Sequence, residues 1–186
     1  MTILLIDAGH GPNTPGKRSP DGLLREFTFN AAVANLTKQH LIAKGITVRF
    51  AHDKTRDVPL TERTTYANRQ QVAAFISIHA NAYGNTWNAA QGIETYIYPT
   101  AGTQTQLLAN LLHTSLLTAC NRKDRGIKKA NFAVLRETTM PAVLLECGFM
   151  TNREEAQLLL DPKYQQQCAN AIAFGVLAWL YRLDKG

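Results

Sequence analysis

Short apolar runs alternate with longer amphipathic segments along this chain, and the alternation predicts an α/β fold. Runs such as residues 3–6 have the continuous hydrophobicity of strands that are buried on both faces. Strands are predicted at residues 2–7, 46–51, 73–80, 92–99, 132–136 and 142–149. Helices are predicted at residues 26–44, from Pro59 to about residue 72, at residues 103–120, and through most of the C-terminal third.

Capping residues mark the starts of the two C-terminal helices. Thr151, with Glu154 three residues later, predicts a capping box, and Asp161-Pro162 combines an N-cap with proline at the first helical position. The apolar stripe of the last helix consists of Cys168, Ile172, Val176 and Trp179. No internal repeat or linker is visible, so the 186 residues predict a single α/β domain with a mostly parallel sheet.

Charge narrows the classes of partner. The net charge is +6 and the pI is about 9.4, and a basic domain can bind nucleic acid, a membrane surface or another polyanion. The positive residues are scattered except at residues 121–129, which we interpret as a solvated loop. Without an aromatic-interleaved basic stripe we expect no nucleic-acid binding, and without 18 consecutive apolar residues we expect no membrane span.

The three cysteines, Cys120, Cys147 and Cys168, form no CxxC pair. We interpret them as core residues of a chain that folds in a reducing compartment. The N-terminus has no basic segment before its short apolar run, so no signal peptide is predicted.

Three predicted strands carry a chemically active residue where their apolar run ends. His10 lies between two glycines after the first strand, His79 follows an apolar run in the third, and Glu146 follows residues 142–145. Parallel neighbours bring such ends to one edge of a sheet, where α/β proteins bind their ligands. Glu26 opens the first helix, and the preceding glycine-rich loop can fold it back toward His10. Alone, His10 is equally well explained as an ordinary loop residue.

Two histidines and one carboxylate form a common catalytic zinc shell, with a fourth position open for water. The metal lowers the pKa of that water to roughly 7, and a second carboxylate that does not bind the metal can move its proton. The four residues would therefore divide into three ligands and one base. The remaining histidines lack this context, and we interpret them as structural or surface residues: His40, His52 and His113.

Several ordered motifs resemble the zinc-dependent N-acetylmuramoyl-L-alanine amidases of bacterial walls and phage endolysins. They are "IDAGHG", "LREFTFN", "PLTERTTYAN", "FISIHANA", "GIETYIYP" and "RGIKKANFAVLRETTMPAVLLECGFMTNREEAQLL". The resemblance covers residues 2–180. It implies that one Zn²⁺ is bound by His10, Glu26 and His79 and that Glu146 is the catalytic base. Ala8 stands where the family often has proline, and Cys147 follows the catalytic glutamate, but neither position is a ligand.

The resemblance also implies a central sheet of about six strands flanked by helices on both faces, with residues 1–183 as the catalytic domain. The implied reaction is hydrolysis of the amide between N-acetylmuramic acid and L-alanine of the stem peptide. We expect a monomer that acts on peptidoglycan, with anionic wall polymers as further partners of the basic surface. Residues considered for substrate contacts are Asn81, Asn131, Arg125 and Arg136, the asparagines being equally explicable as turn residues.

Two other classes of protein remain as alternatives. Cys147 could be the nucleophile of a thiol peptidase, although the adjacent carboxylate disfavours a thiolate. A wall-binding module without catalysis would need neither a metal nor Glu146. No separate wall-binding domain is visible in the sequence, which fits an endolysin released by a holin, a sporulation amidase, or one domain of an exported protein.

Overall fold

The computed structural model describes residues 2–185, which form six strands and six helices. The strands are β1 (Ile3–Ala8), β2 (Thr47–Phe50), β3 (Ala74–Asn81), β4 (Ile93–Ile97), β5 (Asp124–Lys129) and β6 (Ala142–Phe149). The helices are α1 (Glu26–Ile42), α2 (Leu60–Arg69), α3 (Thr103–Cys120), α4 (Ala133–Arg136), α5 (Arg153–Leu160) and α6 (Pro162–Leu183).

All six strands form one sheet in the order β2-β1-β3-β6-β4-β5. Every neighbouring pair is parallel except β4 with β6, which is antiparallel. The mostly parallel sheet that the sequence predicts is therefore confirmed. The central strands β1, β3 and β6 are almost entirely buried, because both faces of a parallel sheet are covered.

Helices cover both faces of the sheet, as predicted. On one face α1, α3 and α6 pack together over the larger hydrophobic core, and the whole predicted stripe of α6 is buried there. On the other face α2 and α4 cover a smaller core, which includes Leu5, Phe75, Val134 and Leu144. Within residues 2–185, no helix has both the length and the apolar character of a membrane span.

Two predictions for the segment from residue 121 to residue 136 are wrong. Residues 133–136 form the single helical turn α4 rather than a strand, because an apolar run this short fits either structure. Val134 and Leu135 are both buried in the smaller core. Residues 124–129, within the predicted loop, form the edge strand β5. Its charged residues, which disguise it in the sequence, are typical of an edge strand that avoids pairing with other chains.

The predicted capping box is also displaced by one residue. Asn152 caps α5, because its Oδ1 accepts a hydrogen bond of 3.1 Å from the backbone N–H of Glu155. The Thr151 hydroxyl instead accepts from the backbone N–H of Tyr83. The Asp161 cap of α6 is confirmed, since its carboxylate accepts from the backbone N–H of Lys163.

The three cysteines are buried and form no disulfide within residues 2–185, as expected for core residues. The Sγ atoms of Cys120 and Cys168 lie 3.7 Å apart between α3 and α6. The two helices approach closely because α6 carries Gly175 at the crossing. A Cβ atom there would lie 3.0 Å from the Cα of Leu112.

Candidate active site

The three adjacent strands β1, β3 and β6 bring the predicted catalytic residues to one edge of the sheet. His10 lies two residues beyond β1, His79 lies in β3, and Glu146 lies in β6. His79 and Glu146 are direct backbone partners across the parallel pair. The expectation that parallel strands carry these side chains to one place therefore holds, although β3 and β6 continue past them.

The Glu26 carboxylate lies between the two histidines. Its Oε2 is 3.1 Å from Nε2 of His10, and its Oε1 is 2.9 Å from Nδ1 of His79. The three residues can each offer one ligand atom such that all three atoms lie within 4.8 Å of one another. Glu26 reaches this position because it is the first residue of α1, and its backbone N–H is anchored to the carbonyl oxygen of Lys17.

Gly9, which precedes His10, leaves space for the imidazole ring of His79. A Cβ atom on Gly9 would lie 2.0 Å from Cε1 of His79, so no other residue leaves room for the imidazole ring. His10 itself adopts the left-handed backbone conformation, with φ of 66°. Only a few per cent of non-glycine residues do so, and the conformation needs support from its surroundings.

That support comes from Arg63 of α2, a residue that the sequence analysis did not single out. Its buried guanidinium donates hydrogen bonds to the carbonyl oxygens of Val58, Ala8 and His10. It also forms an ion pair of 2.6 Å with Asp7, and both side chains are buried. The sequence feature that points to this pair is Asp7, a charged residue within an otherwise apolar strand.

The ion pair of Arg63 and Asp7 is also connected, through Ser77, to His79. The Ser77 hydroxyl donates to Oδ2 of Asp7 at 2.8 Å, which leaves its oxygen free to accept a hydrogen bond from His79. Nε2 of His79 lies 3.1 Å from that oxygen. Without a metal, Nδ1 of His79 can donate to Glu26; when the only proton of the ring is on Nε2, the lone pair of Nδ1 is available to a metal ion instead. Such outer hydrogen bonds commonly fix the tautomer of a metal-binding histidine.

The two glutamates have opposite electrostatic environments. Burial alone raises the pKa of Glu26, but hydrogen bonds from His10 and His79 outweigh it and lower the pKa to about 2. Burial, followed by the negative charge of Glu26, raises the pKa of Glu146 well above its ordinary value. The Oε2 atom of Glu146 is buried without a hydrogen-bond partner in the described chain. Glu26 is therefore suited to bind a cation, and Glu146 is suited to carry a proton.

The site lies between two clefts, and His10, His79 and Glu146 line both of them. One cleft of about 460 Å³ has an apolar wall that includes Leu60, Phe132 and Val134. The other, of about 360 Å³, is more polar and is lined by residues that include Asn81 and Gly84. A larger cavity of about 560 Å³, lined by residues from 50 to 69, includes none of the four predicted catalytic residues and so lies apart from the chemistry.

The residues predicted to contact substrate fall into two groups. Asn81 lines the polar cleft and donates to Glu94, which also binds Arg125. Nη1 of Arg136 donates a hydrogen bond of 2.5 Å to Oδ1 of Asn131. In the part of the chain that the structure describes, neither residue lines the apolar or the polar cleft. A role for any of the four in substrate binding stays a prediction.

The other histidines have structural contacts, as expected. Nδ1 of His52 accepts a hydrogen bond from the backbone N–H of Ala8. His113 bonds to Thr95 and Asp124, and His40 contacts Gln166.

Comparison with known proteins assigns the family. The sequence profile described as N-acetylmuramoyl-L-alanine amidase matches residues 4–178. The chain belongs to this family. The predicted family, the α/β fold class and the general function as a peptidoglycan amidase are thereby confirmed.

Individual members of the amidase family resemble the whole chain. The N-acetylmuramoyl-L-alanine amidase CwlM of Bacillus licheniformis is 37% identical over 100% of this chain and 71% of its own length. The endolysin of Bacillus phage SPP1 is 30% identical over 94% of this chain and 64% of its own. The crystal structure of an N-acetylmuramoyl-L-alanine amidase from Clostridium difficile 630 superimposes with a TM-score of 0.92 at 36% identity, and the match covers 97% of each chain.

Replacing Arg63 with an uncharged residue should strongly destabilise the amidase. We expect Arg63→Met to lower the free energy of unfolding by about 3–5 kcal/mol, because Asp7 would be left charged and unpaired in the interior. Urea denaturation of the chelator-treated protein measures the change. The double variant Asp7→Asn/Arg63→Met should recover part of the loss. Strictly additive effects of the two substitutions would contradict a direct coupling.

Replacing Glu146 should stabilise the metal-free protein in a pH-dependent way. Because the folded state raises the pKa of Glu146 above 4.5, the unfolded chain loses this proton first, and stability falls as the pH rises from there. Glu146→Gln removes that loss. Its midpoint in urea should exceed that of the parent at pH 7, and the difference should shrink below pH 4.5. Glu137→Gln, at an exposed glutamate, is the matched control. A difference that does not vary with pH would refute the raised pKa.

Proposed function

We propose that this amidase is a zinc-dependent hydrolase that cuts the bond between the lactyl group of N-acetylmuramic acid and L-alanine of the stem peptide. His10, Glu26 and His79 would hold one Zn²⁺, and Glu146 would serve as the catalytic base. The observation that carries the proposal is the position of the Glu26 carboxylate between two histidine nitrogens, with the unpartnered oxygen of Glu146 in the same clefts.

The donor set fits zinc in chemistry and in spacing. Two imidazole nitrogens and one carboxylate are the usual protein ligands of a catalytic zinc site. Ligand atoms about 2.0–2.1 Å from a tetrahedral Zn²⁺ lie about 3.3 Å from each other. Nε2 of His10 lies 3.1 Å from one Glu26 oxygen and Nδ1 of His79 lies 2.9 Å from the other, and one ligand atom from each residue can be chosen so that all three lie within 4.8 Å of one another. The polar cleft is lined by all three residues and the apolar cleft by the two histidines, so water and substrate would reach them from either cleft.

When bound, Zn²⁺ would polarise the scissile carbonyl group and make hydroxide available at neutral pH. The protein supplies the proton transfer. Glu146 takes a proton from the attacking water as the oxygen forms its bond to the carbonyl carbon. It returns that proton to the nitrogen of L-alanine as the C–N bond breaks. A carboxylate whose pKa is raised by burial accepts a proton more readily than an exposed glutamate does, which suits the first step, and the carboxyl group so formed supplies the proton for the second.

The burial of Cys147 argues against the thiol peptidase alternative. Its side chain is fully buried and does not line either cleft. A nucleophile must reach the substrate, whereas Cys147 packs into the larger core. The wall-binding alternative does not explain Glu146. Its Oε2 is buried without a hydrogen-bond partner among residues 2–185, and burying such a group lowers the stability of the fold. A module that only binds would have no need of it.

The remaining parts of the proposal concern the domain and its partners. Residues 1–183 would form the catalytic domain and act as a monomer on peptidoglycan. Asn81, which lines the polar cleft, would hydrogen-bond substrate. The net charge of +6 would help to hold the domain on a wall that carries phosphate and carboxylate polymers.

Metal content and turnover should separate the roles of the ligands from that of the base. Purified protein should contain about one zinc per chain by elemental analysis. Glu146→Gln should keep the zinc and lose about 10²–10⁴-fold in turnover, whereas His79→Ala should lose both. Activity that survives complete metal removal would contradict the mechanism. Loss of zinc from Glu146→Gln would make Glu146 a ligand instead.

Salt should affect lysis of intact cells more than cleavage of a small substrate. Attraction between exposed charges is screened over about 8 Å at physiological ionic strength and about 3 Å at 1 M. Cell lysis should therefore fall steeply along a salt series, whereas cleavage of a neutral muramyl-peptide analogue should change little. A parallel fall of both rates, or no fall in either, would rule out wall binding through the basic surface.

A further inference from the structure

A row of paired residues extends from the metal-ligand histidine across three strands of the sheet. His79 on β3 is the backbone partner of Glu146 on β6, and Glu146 is the partner of Glu94 on β4. Directly paired residues project to the same face, and neighbouring strands lie about 4.8 Å apart. Glu94 therefore follows the proposed base in the row, about 10 Å from His79 measured between backbones.

The Glu94 carboxylate is almost completely buried and forms ion pairs with two basic side chains. Lys128 Nζ lies 2.7 Å from its Oε1, and Nε of Arg125 donates to the same oxygen. The Tyr96 hydroxyl and the Asn81 amide donate to its Oε2, the amide at 3.1 Å. All its lone pairs are occupied by protein, so Glu94 cannot bind another cation. The cluster of Glu94, Arg125 and Lys128 instead carries one net positive charge beside Glu146.

Arg125 keeps its terminal nitrogens free. Only its Nε bonds to Glu94, and within residues 2–185 neither Nη1 nor Nη2 has a hydrogen-bond partner. The guanidinium lies 4.9 Å from the centre of the Phe149 ring, and its side chain is 30% exposed. Gly92 leaves room for its stem, since a Cβ there would be 3.1 Å from Cδ of Arg125. A fixed guanidinium with two free nitrogens is suited to bind a carboxylate.

We propose that Arg125, held by Glu94 and assisted by Lys128, binds the free carboxylate of the stem residue that follows L-alanine. This rests on the proposed function. Successive residues advance about 3.3–3.6 Å in an extended chain, so a carboxylate two residues beyond the scissile carbonyl lies about 7 Å from it. Asn81 lines the polar cleft beside His79 and donates to the same Glu94 carboxylate that holds Arg125, so the Arg125 cluster lies on the side of Glu146 toward which such a chain could extend. The amidase would therefore distinguish a stem peptide with a free carboxylate here from one with a carboxamide.

The test compares two muramyl dipeptides that differ only in this group, L-alanyl-D-isoglutamate and L-alanyl-D-isoglutamine. Calorimetry on zinc-loaded Glu146→Gln measures binding without turnover. We expect the carboxylate form to bind about 10-fold more tightly, as for a charge-assisted hydrogen bond. Adding Arg125→Gln should remove that preference, while Arg125→Lys should retain part of it. Arg182→Gln, at an exposed arginine of α6, is the control and should leave the preference unchanged.

Equal binding of the two dipeptides by the Glu146→Gln protein would overturn the proposal. A preference that survives Arg125→Gln, or affinities for both dipeptides that fall equally, would also overturn it, because Arg125 would then be only structural. Failure of the proposed function gives a different result. In that case the parent protein would cleave these substrates without metal, or would cleave neither, whatever the binding preference.

Discussion

The buried ion pair between Arg63 and Asp7 is the interaction on which the geometry of the site depends. Through its carbonyl contacts Arg63 supports the left-handed backbone of His10, and through Ser77 the Asp7 carboxylate orients His79. Burying two charges costs more than their attraction returns unless hydrogen bonds satisfy both groups. Here they do, since Arg63 also bonds to Ala8 and Val58. The pair can therefore fix the positions of two histidines without leaving a buried charge unsatisfied.

The positions of Glu26 and Glu146 indicate which carboxylate is suited to bind a metal and which is suited to transfer a proton, a distinction that residue type alone does not make. Sequence reasoning from spacing gives two histidines and two glutamates without saying which glutamate is the ligand. Glu26 contacts both histidines, which lower its pKa, whereas Oε2 of Glu146 is buried without a hydrogen-bond partner among residues 2–185 and burial raises the pKa of Glu146. One chain thus produces an ionised ligand and a proton carrier from the same residue type through their surroundings.

The core of the fold and of the site could be predicted because both depend on local patterns. Apolar strands ending near His10, His79 and Glu146 must meet at one edge if they are parallel neighbours. The helical turn α4 and the edge strand β5 could not be predicted in this way. Helix α4 has too few apolar residues to show a helical period, and the charged residues of β5 hide its strand pattern. The role of Arg63 could not be predicted because its contacts with Asp7 and Ala8 join positions more than 50 residues apart in the chain, which no local pattern reveals.

The central claim is that His10, Glu26 and His79 form one metal centre with Glu146 outside its ligand shell. Anomalous diffraction at the zinc absorption edge, on crystals of protein purified without added chelator, tests it directly. The account predicts a single strong peak within about 2.0–2.2 Å of Nε2 of His10, one Glu26 oxygen and Nδ1 of His79. A peak ligated by Glu146 in place of Glu26, or metal bound only elsewhere on the chain, would contradict it.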